Sequence, residues 1–175
     1  MEKITFEDYP NTTTPINSTN LNNLQDNVET EINTLTEKNI ITIKTTDNIS
    51  QNVSTTWADY QISLNSTLSS VGSKLTLSNG GIKIGSGVHH VKVAGCVFEK
   101  GISSTLIAGI VKNSTRVCYG YESTTSSGQF VTLSFSPMVL DVQENDIFKL
   151  FVGSSVTGTI TVSNVSTNLT IEVID

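Results

Sequence analysis

The chain has 175 residues, 37% hydrophobic and only 15% charged, with a formal net charge of -6 and a pI near 4.8. That length holds about one globular domain plus an appendage. The acidic balance argues against nucleic-acid binding, which needs a basic footprint to displace counterions, and no run of about 18 apolar residues exists to span a bilayer. With charge well below the usual share of about 25%, the polar surface falls to Ser, Thr and Asn. These residues suit half-exposed strands and turns better than helix interiors, which points to mostly β structure.

Residues 1–17 carry Pro10, Pro15 and the run Thr12-Thr13-Thr14. Two prolines in polar filling disfavour a regular helix or a central strand, so this segment is expected to be an extended arm with a docking role. It lacks the basic flank and apolar stretch of a secretory signal.

Over residues 18–39, Leu21, Leu24, Val28, Ile32 and Leu35 recur at spacings of three, four, four and three. They fall on one face of a helix. A 3-4-4 repeat has an eleven-residue period, which predicts a nearly straight or slightly right-handed bundle. Continued, the pattern puts Asn39 in the seam, where a polar residue can fix register. Such a helix is roughly 30 Å long and marginal alone in water. It therefore needs partners, either two further copies in a trimeric coiled coil or its own domain.

From Ile40 onward, short runs of Val, Ile, Leu, Phe and Thr alternate with Gly, Ser and Asn clusters, which is a strand pattern. Strands are predicted near 40–46, 57–64, 73–78, 81–84, 88–99, 104–112, 115–122, 129–135, 138–142, 146–152, 158–163 and 168–174. Asn79-Gly80-Gly81 is a strong turn signal because Gly, and often Asn, tolerates positive φ. Many strands without an intervening helix indicate a sandwich or jelly roll. Val91 to Phe98, Leu106 to Val111, Ile147 to Val152 and Leu169 to Ile174 read as apolar on both faces, whereas a monomeric sandwich keeps one face polar. A second cover is expected, and another copy of the chain is the simplest one. Cys96 and Cys118 each sit in an apolar run and read as two free thiols rather than a disulfide.

Two stretches carry a family resemblance. Phe6 to Asp26, with Thr14-Pro15-Ile16-Asn17 and Asn20-Leu21-Asn22, resembles the opening of structural proteins of tailed phages and prophages of Gram-positive bacteria. Gly81-Ile82-Lys83-Ile84, Gly87-Val88 and Val91-Lys92-Val93-Ala94, with Met138 to Leu150 further on, resemble strand pairs of C1q/TNF-type heads. Asn145 stands where that pattern has Gly, and Asn is a common substitute at positive φ. The resemblance implies a mainly β, C1q/TNF-like jelly-roll head at 40–175, preceded by a coiled-coil stalk at 18–39 and a virion-attachment arm at 1–17. It implies a threefold assembly with exposed loops, and transfers no binding residues.

No catalytic set emerges. His89 and His90 are adjacent on an expected strand and point to opposite faces, so they do not chelate one ion together. Asp141, Glu144 and Asp146 lack the spacing of a calcium loop and read as a solvated turn. No zinc spacing, phosphate-cradling loop or dinucleotide fingerprint is present. No cofactor or metal is expected. The Asn-x-Ser/Thr triplets at Asn17, Asn52, Asn65, Asn113 and Asn164 follow from composition. Among the scarce aromatics, Trp57, Tyr60, Tyr119 and Tyr121 are candidates for ligand stacking, or for core and interface packing.

The expected function is a non-enzymatic homotrimeric fibre or spike of a bacteriophage, on the capsid or tail surface, made in the bacterial host cytoplasm. Expected partners are itself, another virion protein through residues 1–17, and a host-surface glycan of cell wall or capsule. The alternative is a purely structural head fibre, decoration protein or baseplate component without a ligand.

Overall fold

The computed structural model describes residues 18–36, 38–54, 58–100, 104–123, 126 and 128–175. The arm at 1–17 and Trp57 lie outside them. The chain divides between Glu37 and Lys38 into two compact units. The described part of the first is a single helix, α1 (Ser18–Thr36), of 19 residues. Its apolar positions follow the spacing read from sequence, and Leu24, Val28 and Ile32 are exposed along it while Leu21 is half-buried.

The second unit is a sandwich of thirteen described strands: β1 (Ile40–Lys44), β2 (Ile49–Val53), β3 (Tyr60–Ile62), β4 (Ser66–Val71), β5 (Leu75–Ser78), β6 (Gly81–Ile84), β7 (His90–Lys100), β8 (Thr105–Lys112), β9 (Thr115–Ser123), β10 (Phe130–Asp141), β11 (Ile147–Ser154), β12 (Gly158–Val162) and β13 (Asn168–Val173). All pairings between them are antiparallel. The first sheet is organised by the eleven-residue β7. One edge of it takes β10, and the other takes β13 and then β12, which lead outward to β1 and β4 and to β2. The second sheet runs β5-β6-β11-β8-β9, with β3 also on β11. Between them lies one core that includes Ile41, Ile43, Val91, Val93 and Val97 from the first sheet and Ile82, Leu106, Ile110, Phe148 and Leu150 from the second.

Local chemistry fixes the turns. Asn79 at φ 49° and Gly80 at φ 73° turn β5 into β6. Asn145 adopts φ 72°, the left-handed conformation that Asn tolerates better than most residues. Behind it Asp146 is buried: its carboxylate accepts from Asn113 Nδ2 at 2.6 Å and the Gln143 amide at 3.0 Å. Burial opposes its ionisation, but these donors and Lys112 outweigh that and hold the carboxyl below its ordinary value. Asp146 is thus a buried turn anchor, which corrects the solvated-turn reading, while Asp141 and Glu144 are exposed.

Two strands had no clear sequence signal. β2 and β4 lie at sheet edges, and β4 is exposed along nearly its whole length. β4 buries no face and does not alternate, and β2 alternates in burial but with polar Gln51 at a half-buried position, so its sequence shows no apolar period. Conversely β10 is one strand where two were expected. It runs through Pro137 with a bulge between Phe135 and Met138, which an edge strand tolerates because a bulge and a missing amide disrupt only one ladder. Asn39 belongs to the sandwich rather than to a helical seam: it is buried, and its Oδ1 accepts from the Lys74 amide at 2.9 Å.

Candidate functional site

The candidate surfaces follow from which strands are apolar on both faces. β13 is not: Leu169 and Ile171 point inward, while Asn168, Thr170 and Glu172 point outward. β8 and β11 are, but the chain covers them itself. Ile107, Val111 and Phe151 form a second buried cluster on the outer face of their sheet. From one side the Ala58 backbone passes over Gly153, where an added Cβ would sit 3.0 Å from the Ala58 carbonyl. From the other, the Arg116 guanidinium lies 5.2 Å from the Phe151 ring centre. The two covers are tied together by Asp59, whose carboxylate oxygens both accept from Arg116 Nε at 2.8 Å. This corrects the expectation that β8 and β11 need another subunit as cover.

β7 remains. Among the described residues its outward side chains Ala94, Cys96 and Phe98 have no such lid, and they are only half-buried. Strand register extends them into rows across the sheet. One row is Ser69, Thr42, Thr170 and Ala94; the next is Lys44, Asn168, Cys96 and Ser134; the third is Phe98 and Thr132. Beyond them Phe130, 50% exposed, stacks on Phe98 with ring centres 4.9 Å apart. The centre of this face is uncharged and rich in small hydroxyl side chains, with Ala94, Cys96 and Phe98 as its apolar members. Its charges, Lys44, Lys92, Glu172 and Lys100, lie toward its margins. Apolar Val71 and Val139 are exposed in the row that contains Lys92. Sequence inspection included Phe98 only as the end of the two-faced run Val91 to Phe98 and missed Phe130, although counting alternate residues along β10 from buried Val131 and Leu133 marks it as outward.

The predicted aromatics do not form one site. Tyr60 is a packing residue: its hydroxyl donates to Ser54 Oγ at 2.9 Å and accepts from the Ser54 amide at 3.0 Å, and its ring packs on the core. Tyr119 and Tyr121 do come together, edge to face with centres 5.5 Å apart. Both are about half exposed, at 50% and 56%, on the outer face of edge strand β9. Arg116 lies 5.4 Å from the Tyr119 ring centre, and its charge is already met by Asp59. The patch thus offers two aryl surfaces and two hydroxyls beside a neutralised ion pair, chemistry suited to stacking on a sugar ring. The nearby hollow of roughly 150 Å³ lined by Gln61, Asn79, Asn113 and Ser114 has no aromatic wall.

On the helix, Leu24, Val28 and Ile32 form an exposed apolar stripe with Leu21; the side chain of Leu35 lies outside the described residues. Cys96 and Cys118 are free thiols, half-buried and on different sheets. His89 and His90 are both exposed, and His90 Nδ1 lies 2.9 Å from Asp175 Oδ1. Among the described residues no three His, Cys, Asp or Glu side chains converge as metal ligands.

No family model matches the sequence, and comparison with curated proteins finds no match. The fold, however, has clear counterparts. Murine APRIL at pH 5.0 superposes with a TM-score of 0.61 at 10% identity, over 79% of this chain and 100% of that one. The Eiger TNF of S. frugiperda gives 0.59 at 9% identity, over 79% and 92%. The β unit therefore has the TNF/C1q-like jelly-roll fold.

Proposed function

We propose that the chain is a non-enzymatic, homotrimeric fibre or spike component of a bacteriophage particle. In this reading residues 1–17 dock on another virion protein, α1 associates as a short three-stranded stalk, and the jelly roll is a head that contacts a host cell-wall or capsular glycan. The observation that carries it is the outer face of the β7 sheet, which no described residue covers. An uncharged centre flanked by the stacked, half-exposed Phe98–Phe130 pair, with charge toward its margins, supports a self-association surface. The exposed stripe of α1 supports the same assembly from a separate unit. The virion assignment draws on the resemblance of Phe6 to Asp26, and the glycan on the Tyr119–Tyr121 pair. Threefold presentation would convert weak single-site contact into avidity.

The test is binding of the purified full chain to host cell walls, alongside antibody labelling of intact particles. The reading expects saturable binding that Tyr119→Ala with Tyr121→Ala abolishes, and labelled virions. Labelled virions with no wall binding would favour the purely structural fibre. Unlabelled virions would overturn the phage assignment itself.

A further inference from the structure

The inward residues of β7 run Val91, Val93, Gly95, Val97 and then Glu99. Glu99 is 0% exposed, and among the described residues neither of its carboxylate oxygens has a hydrogen-bond partner. Its cross-strand neighbours are Val131 of β10 and Val162 of β12, both buried. An ionised carboxylate in such a place has neither water nor donor, so the group keeps its proton instead. Burial alone pushes the carboxyl up to about 8.

The surrounding elements bring no compensating charge. β12 and β2 contain no titratable residue, and β10 has only Asp141, at its far end. Lys100 alternates to the outer face, over the Phe130 ring. On β13, Glu172 pairs with Lys38 on the outer face. In the opposite sheet, Lys112 bonds the Asp141 carbonyl, which is at the His90 end of β7. Lys149 lines the outer hollow. On β9, Arg116 and Tyr121 lie on the outer face and Glu122 is exposed.

We propose that Glu99 is a proton-operated lock: while protonated it lets β7, β10 and β12 close over it, and on ionising it forces that end of the sandwich to open toward water. The sign follows from linkage. An unfolded glutamate titrates near 4.5, and the folded one near 8. Between these values the folded chain holds a proton that the unfolded chain has released. Stability from this group is therefore full below the lower value and is lost as pH rises through the upper one, at about tenfold in the folding equilibrium constant per pH unit.

The experiment is urea unfolding of the full chain at fixed concentration from pH 5 to 8, with Glu99→Gln and Glu99→Leu in parallel. The wild-type constant should fall relative to both variants by about tenfold per unit, on the order of 10³-fold in all. A ratio that does not change with pH would overturn the proposal. Should the variants not fold, carboxyl-carbon NMR of the folded wild-type chain decides: a glutamate titrating near 8 supports the lock, and all glutamates titrating near their ordinary values refute it.

Discussion

Phe130→Asp probes the proposed assembly face without touching the core. Phe130 is half exposed on the outer side of β10 and stacks on Phe98. A Phe side chain buries roughly 150–250 Å² when fully covered, so a partner subunit has about 100 Å² here to remove from water. At about 25 cal/mol per Å² this is about 2.5 kcal/mol per copy. Three copies give about 7 kcal/mol, or on the order of 10⁵-fold in the trimer association constant. Burying the new carboxylate adds to that loss. Within one chain the substitution loses the ring contact with Phe98 and the Lys100 ammonium over the ring, about 1–2 kcal/mol, so the head stays folded by circular dichroism. Sedimentation over a range of concentrations should show the variant dissociating where the parent stays associated. A folded Phe130→Asp chain with undiminished association would refute this placement of the interface.

Asp59→Asn removes the charge that ties the lid of the second cluster, and should cost about 1–2 kcal/mol by urea unfolding, the ion pair being partly solvated. Gly109→Ala should cost about 3 kcal/mol or more, because the added Cβ would collide with the Cys118 backbone carbonyl and lie 2.6 Å from the Phe151 ring and 2.8 Å from Tyr119 Cα. Asp146 and Asp175 have depressed folded pKa values, so their stabilisation is present above the unfolded carboxyl range and is lost as pH falls through the folded values. Asp146→Asn should flatten that acid limb in thermal melts between pH 5 and 2. Leu24→Asp with Val28→Asp should abolish helix association, seen as lost helical signal, while the head remains associated.

The sequence carried the sandwich because buried strands announce themselves. The apolar runs of β7, β8 and β11 were read within about two residues of their limits. β2 and β4 were not, since Ser66–Val71 buries almost nothing and leaves no periodic trace. The two-faced reading was right in chemistry for β8 and β11 but wrong in its consequence. Nothing local in Ile107, Val111 or Phe151 reveals that Ala58 and Arg116, distant in sequence, will cover them. That Tyr119 and Tyr121 share a face was legible, because residues two apart on a strand do so, but their exposure was not, and packing in a core or interface read equally well. Tyr60, which looked equivalent, is spent on Ser54. Glu99 was not singled out from sequence, because its burial and the lack of a partner among the described residues belong to tertiary structure.

The assembly is the claim on which the rest depends, and the mass of the purified full chain in solution tests it most directly. Light scattering should return about three times the 18.8 kDa chain mass, independent of dilution through the micromolar range. A single-chain mass throughout that range would contradict the trimer and with it the fibre.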